Sequence, residues 1–384
     1  MSKVIAGNWN YPTSVTFGPG AIRTLPDACR QLGMTCPLLV TDAGLKGLPM
    51  IGAALDSVPG TGLYADVKGN PVGANVNGGV QAYLQGGHDG VIAFGGGSAL
   101  DVGKAVALMV GQDRPLWDFE DVGDNWTRVK TEGLAPVVAV PTTAGTGSEV
   151  GRASVIATDD RHEKKIIFHP RMMPERVIGD PDLTVGLPPH ITATTGVDAF
   201  VHGFEALCAP GYHPMADGIA VEAMRLIANA LPRAFRDGTD IEARADMLAA
   251  ASMGATAFQK GLGGAHALAH AIGGMYDVHH GLANAVLLPY VMVANRDAIG
   301  NAVERVARVL ALPDPGFDAV LDWVLAFREQ LAIPHTLGEL DLNADEAATV
   351  GQRAARDPSA GGNPVALDAQ DYGAIYHRAL TGSI

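Results

Sequence analysis

Residues 88–110, HDGVIAFGGGSALDVGKAVALMV, decide the fold. Val91–Phe94 is an uninterrupted apolar run of the kind found in strands buried on both faces. Gly95, Gly96 and Gly97 end it, Ser98 follows, and a helix is predicted from about Ala99. A strand that turns through bare glycines into a helix aims backbone amides and the positive end of a helix at any bound anion. The glycines also let a pyrophosphate approach the main chain closely. The local pattern is not the GxGxxG fingerprint, and it misses the Walker A motif twice: Ser98 stands where its first glycine should be, and Ala105 follows Lys104 in place of Ser or Thr. Nucleoside triphosphate chemistry is disfavoured. A tight turn with no ligand is the alternative reading of the stretch taken alone.

The same rhythm extends in both directions. PLLVTD (37–42) and PVVAVPTT (136–143) are further short apolar runs ending in Thr or Asp, and helical stretches alternate with them. That is the signature of βαβ units in a parallel sheet. Near residue 185 it stops. Segments 187–207, 214–235, 243–261 and 301–312 carry apolar residues at i, i+3, i+4 and i+7, which predicts helices. The chain therefore reads as an α/β domain over 1–185 followed by an all-helical domain over 186–384. A cleft between two such domains is an expected seat for a small-molecule site.

Composition narrows the function classes. The 384 residues are enough for two substantial cores, and 47% hydrophobic with 18% charged residues is ordinary for a water-soluble protein. With 27 Lys and Arg against 41 Asp and Glu, the formal charge of -14 repels nucleic acid and anionic membranes. Cys29, Cys36 and Cys208 are odd in number and form no CxxC pair, which suggests reduced thiols. The N-terminal stretch has no apolar core of an export signal, and no segment reaches the length of a membrane span. A cytoplasmic location is expected.

The helical half carries the residues for metal chemistry. TATTGVDAFVHGFE (192–205) sets Asp198 and His202 one turn apart, and GGAHALAHAIGGMYDVHHG (263–281) adds His266, His270, His279 and His280. A carboxylate with several imidazoles is a ligand set for zinc or ferrous iron. These polar groups lie in Ala- and Gly-rich helical sequence, where uncompensated polarity is costly. In the first half, Thr142, Thr143, Thr146 and Ser148 at the end of PVVAVPTTAGTGSEV can hydrogen-bond phosphate, ribose or a carboxamide, or cap a helix. Asp42, past an early strand, can accept both hydroxyls of an adenosine ribose and repel a 2′-phosphate, or serve as a helix cap.

Together these stretches resemble the iron-containing (group III) alcohol dehydrogenases. The resemblance runs through FGPGA (17–21), GGGSALD with Lys104, PTTAGTGSE, DPDLT (180–184), TGVDAFVHGFEA, GGAHALAHAIGG, HHGLANAVLLP (279–289) and GGNP (361–364). It implies an N-terminal dinucleotide domain with a parallel sheet, an all-α metal domain and a homodimer. Carried over by position, the metal ligands are Asp198, His202, His266 and His280, and His270 lies near the substrate and nicotinamide. Asp42 matches the acidic residue associated with NAD preference. Gly96, Gly97, Ser98, Asp101, Thr142, Thr143, Thr146 and Ser148 fall in the cofactor loops, and Asn70 with Pro71 matches an Asn-Pro turn. Ala99 stands where proline often follows GGGS, and Val365 where arginine often follows GGNP. Of the adjacent His279 and His280, helical geometry lets only one face a metal.

The expected activity is hydride transfer between a small alcohol or aldehyde and NAD, with Fe2+, or alternatively Zn2+, as Lewis acid. A metal- and NAD-dependent lyase like the dehydroquinate synthases is the alternative, though such an enzyme needs many basic residues for its substrate. His270, one turn after His266, is expected beside the metal, where a neutral imidazole can pass the alcohol proton. Lys260 is a candidate anchor for a substrate carboxylate, against the reading of an exposed lysine.

Overall fold

The computed structural model describes residues 7–9 and 12–384. The chain forms two compact units: the first extends to Thr143 and resumes over Gly147–Gly186, and the second takes Ala144–Thr146 and Leu187–Ile384. The predicted order, α/β then all-helical, is what the structure has.

The strands of the first unit are β1 (Gly7–Trp9), β2 (Ser14–Phe17), β3 (Leu38–Val40), β4 (Gly62–Tyr64), β5 (Val91–Gly95), β6 (Val137–Pro141), β7 (Ala153–Ala157), β8 (Lys164–Phe168) and β9 (Arg176–Gly179). Seven form one sheet in the order β1-β2-β9-β6-β5-β3-β4, and β7 pairs with β8 in a separate antiparallel ribbon. From β2 to β4 every pairing is parallel; only β1 runs antiparallel, at the edge. Helices α1 (Leu25–Gln31), α2 (Pro49–Ser57), α3 (Gly73–Gly86) and α4 (Gly97–Met109) belong to this unit.

The central strands β5 and β6 are buried at every residue, which is why their sequence is continuously apolar. Leu39, Ile92, Phe94, Val138, Val140 and Ile178 form a core with Leu25 and Ile51. Helix α4 starts two residues before the predicted Ala99, at Gly97. The chain runs from β3 outward to β4, then crosses back so that β5 lies on the other side of β3. This strand-order reversal puts Asp42, after β3, and the glycines after β5 at a topological switch point, where parallel sheets bind ligands.

The second unit consists of α5 (Pro189–Cys208), α6 (Pro214–Arg236), α7 (Ile241–Ala257), α8 (Gly264–Tyr276), α9 (His280–Ala294), α10 (Gly300–Val309), α11 (Phe317–Gln330), α12 (Ala347–Arg356) and α13 (Ala369–Thr381), with short 3₁₀ turns between. Helix α5 has Pro189 at its first turn and is buried over Thr192–Leu207. A helix buried on all sides must pair whatever polar side chains it carries. Helix α9 contains Pro289, which cannot donate to the Ala285 carbonyl. Arg328 of α11 compensates: its fully buried guanidinium donates to the Ala285 and Val286 carbonyls at 3.3 and 2.8 Å. Among the described residues no helix is long and apolar enough to cross a membrane.

Candidate metal centre and cofactor loops

Asp198 and His202 lie on one face of α5, His266 on α8, and His280 at the start of α9. One ligand atom each from Asp198, His202 and His266 lies within 4.8 Å of the other two. The Asp198 Oδ1 atom is the hub, 3.9 Å from His266 Nε2 and 3.8 Å from His280 Nε2. The rings of His202 and His266 stack at 4.7 Å. His202 Nδ1 and His266 Nε2 are buried with no hydrogen-bond partner. Two such atoms cost about 1–3 kcal/mol each, and they sit beside a buried carboxylate. A divalent cation answers both deficits, so the residues fit one.

The electrostatics act in opposite directions on the two imidazoles. Burial pushes His202 down to about 4, against the opposing pull of Asp198. At His266 burial also acts downward, but the hydrogen bond and charge of Glu205, with Asp198, more than reverse it and the net displacement is upward. The carboxylates of Glu205 and Asp198 that cause it are negative charge that a bound cation would balance.

Three supporting residues escaped the sequence reading. Glu205 Oε2 lies 2.7 Å from His266 Nδ1. It stands three residues after His202 and seven after Asp198, so helical spacing could have found it. Asn284 Nδ2 donates to Asp198 Oδ1 at 2.8 Å and lies 3.1 Å from His280 Nε2; it is four residues past His280 and was legible in the same way. Asp357 Oδ2 lies 2.9 Å from His270 Nδ1, and at a sequence separation of 87 no local pattern could reveal that pair.

His270 sits in the same cluster, its ring stacked on His280 at 5.1 Å and edge-on to His266 at 6.1 Å. His279 and His280 are separated by backbone geometry and not by helical rotation alone. His279 is the exposed, non-helical N-cap of α9, and its Nδ1 accepts from Leu282 N at 3.4 Å, whereas His280 is the first helical residue. Lys260 is not solvent-facing. Its Nζ donates to Asp217 Oδ1 at 2.7 Å and to the Leu207 carbonyl at 3.3 Å, with the side chain only 6% exposed. Its charge is already matched by a carboxylate.

In the first unit, Gly96 caps α4 without any side-chain hydrogen bond, so the helix's first amides have no side chain capping them. Gly95 adopts φ +149°, and a Cβ there would meet Ala99 Cβ at 2.7 Å and Asp42 Oδ2 at 3.5 Å. Only glycine lets β5 turn so tightly beside Asp42. Asp42 Oδ1 accepts from Gly44 N and Leu45 N at 2.9 and 3.0 Å, which is the turn-capping role, while Oδ2 faces the glycines. Ser98 Oγ donates to the Gly69 carbonyl at 2.6 Å, next to the half-buried Asn70. Thr142 N donates to the Gly95 carbonyl at 3.0 Å, and Thr143 lies against Gly96.

Asp101 and Ser148 bond each other, Oγ to Oδ1 at 2.5 Å. Val155 N donates to Asp101 Oδ2 at 2.9 Å, and the buried Lys104 Nζ lies 3.2 Å from Asp101 Oδ1 while donating to the carbonyls of Ser148 and Ala153. These side chains brace the loop. Thr146 belongs to the second unit, in a three-residue excursion, Ala144–Thr146, whose Gly145 lies close against Thr195 of α5. A Cβ on Gly145 would lie 2.7 Å from Thr195 Cβ.

Comparison with known proteins agrees along the whole chain. The model of the iron-containing alcohol dehydrogenases matches residues 12–181, and that of the Fe-containing alcohol dehydrogenase family, C-terminal, matches residues 192–380. The 4-hydroxybutyrate dehydrogenase of Cupriavidus necator is 35% identical over 382 residues, 96% of this chain and 99% of its own. A crystal structure of 1,3-propanediol oxidoreductase superimposes with a TM-score of 0.90 at 31% identity, covering 95% of this chain and 97% of that one. Sulfoacetaldehyde reductase of Bifidobacterium kashiwanohense, solved in complex with NAD+, gives 0.87 at 28% identity, with 96% and 97% covered. These relatives bear the names of dehydrogenases, oxidoreductases and reductases, and the lyase alternative is not favoured. The chain belongs to the iron-containing alcohol dehydrogenase family and is an oxidoreductase acting between alcohols and aldehydes.

Proposed function

We propose that this enzyme uses NAD and a divalent cation, iron with zinc as the alternative, held by Asp198, His202, His266 and His280. The convergence of a buried carboxylate with two partnerless imidazole nitrogens carries the reading. Bound there, a cation supplies a Lewis acid that eases loss of an alcohol proton or polarises an aldehyde carbonyl. Asp198 brings the balancing negative charge, and burial keeps His202 neutral so that its lone pair is available. His270, its Nδ1 held by Asp357, presents Nε2 as the group that holds or moves the substrate proton. Asp42, Asn70, Gly96, Gly97, Ser98, Thr142, Thr143 and Thr146 are the proposed cofactor contacts, with Asp101 and Ser148 acting through the shape of their loop.

The relatives' names point to short primary alcohols, with 4-hydroxybutyrate and 1,3-propanediol as first substrates to try. The unpaired cysteines support a reducing, cytoplasmic setting, and the family resemblance supports a homodimer. The test is a panel of neutral and carboxylated alcohols assayed with NAD and NADP on protein of measured metal content. Turnover with NAD that scales with bound iron or zinc is the expected result; turnover independent of metal would overturn the reading.

A further inference from the structure

We propose that Glu205 is the positioning residue that makes His266 a metal ligand, one carboxylate setting both the start of α8 and the tautomer of its first histidine. The proposal rests on the cation reading above. Helix α8 begins with glycines at its N-cap and first position, so no local side chain can satisfy its leading amides. Two distant residues do so instead. Glu205 receives Gly263 N at 2.8 Å on Oε2 and Ala265 N at 2.7 Å on Oε1, while Asn363 Oδ1 receives Gly264 N at 3.0 Å. A Cβ on Gly263 would lie 3.0 Å from Glu205 Oε1, so glycine at this place lets the carboxylate close on the helix end.

The His266 contact shares an oxygen with one of these amides: Nδ1 is 2.7 Å from Glu205 Oε2. Backbone amides can only donate, so both oxygens of Glu205 are already acceptors, and the remaining contact is best made by an Nδ1–H. The proton on Nδ1 leaves the lone pair on Nε2, the atom that is buried without a partner 3.9 Å from Asp198 Oδ1. Turning the ring over would replace the Nδ1 bond with a carbon against a carboxylate oxygen. Asp198, His202 and Glu205 recur at i, i+4 and i+7 of α5, so one helix face supplies two ligands and the group that orients a third. Such outer partners commonly change metal affinity by about 10–100-fold.

Glutamine at this place discriminates sharply. Its amide has one acceptor oxygen and a donor nitrogen; the nitrogen must face either a backbone N–H or His266 Nδ1, and in the second case it drives the proton to Nε2 and removes the ligand lone pair. Zn2+ dissociation constants are measured by chelator competition for the full-length wild type, Glu205→Gln and Asn363→Ala, the last disturbing the same helix end without touching His266. The proposal expects about 10–100-fold weaker binding for Glu205→Gln and a much smaller change for Asn363→Ala. Nitrogen-15 spectra of metal-free wild type, taken at alkaline pH where the ring is neutral, should show His266 protonated at Nδ1 and bare at Nε2, a readout that stands even if Glu205→Gln does not fold. Equal Zn2+ affinity in Glu205→Gln and wild type, an equal loss in Asn363→Ala, or a neutral His266 ring protonated at Nε2 in the wild type would each overturn the assignment. A wild type that takes up no Zn2+ or Fe2+ would overturn the cation reading itself, and the ligand role of His266 with it.

Discussion

His270 Nδ1 and Asp357 Oδ2 lie 2.9 Å apart, and Asp357 is held in turn by Ser359 N, 2.8 Å from its Oδ1. The pair fixes the imidazole beside the proposed metal ligands. Its Nδ1 is committed to the carboxylate, and its ring is stacked on His280. His270→Ala should keep its metal and bind NAD while losing turnover by about 10²–10⁴-fold, the usual worth of positioned acid–base help. Metal analysis and single-turnover kinetics check this. Metal loss in that variant would place His270 among the ligands.

The Asp357 carboxyl is also a pH probe of the fold. Burial alone would raise its pKa, but the charge and hydrogen bond of His270, with the bonds from Ser359, more than reverse this and hold it below the ordinary carboxylate range. A depressed folded-state pKa contributes stability above the unfolded value and loses it as pH falls through the folded value. The difference in melting temperature between wild type and Asp357→Asn should therefore be largest near neutral pH and shrink on acidification. A difference that does not change with pH would show that the pairing of Asp357 with His270 contributes nothing.

Asp42 has one oxygen in a turn and the other facing the Gly95 turn, so its substitution should be read on two axes. Asp42→Gly should improve NADP use relative to NAD by at least about tenfold, or ~1.4 kcal/mol. It should also cost about 1 kcal/mol of stability from the lost turn bonds. Steady-state kinetics with both cofactors and thermal unfolding separate the two. An unchanged cofactor ratio with lowered stability would leave Asp42 a turn residue only.

Lys260 illustrates how burial redirects an expectation. Its ammonium bonds Asp217, which Arg305 also approaches at 3.4 Å. Lys260→Met should lower stability and change kcat/KM for neutral and carboxylated alcohols by the same factor. Selective loss on the carboxylated substrates would restore the anchor.

The architecture was legible because its signals are local. Continuous apolar runs at 91–94 and 137–140 belong to strands covered on both faces, and the loss of such runs past 185 marks the helical unit. The four metal-ligand candidates were visible as polar residues in helices that bury nearly everything else. Two of their supports, Glu205 and Asn284, are legible by the same helical spacing, although an acid or amide near a histidine has many ordinary roles. Asp357 and Arg328 could not be seen. Each meets its partner through tertiary packing, 87 residues away in one case and about 40 in the other. Helical spacing alone sets His279 and His280 one step apart, whereas the chain enters α9 between the two residues.

The most direct measurement is metal per chain, by elemental analysis after purification and reconstitution with Fe2+ or Zn2+, in wild type, His202→Ala, His266→Ala and His279→Ala. The account predicts about one cation per chain in the wild type and in His279→Ala, with metal and activity lost together in the other two. Full metal retention in His266→Ala would contradict it.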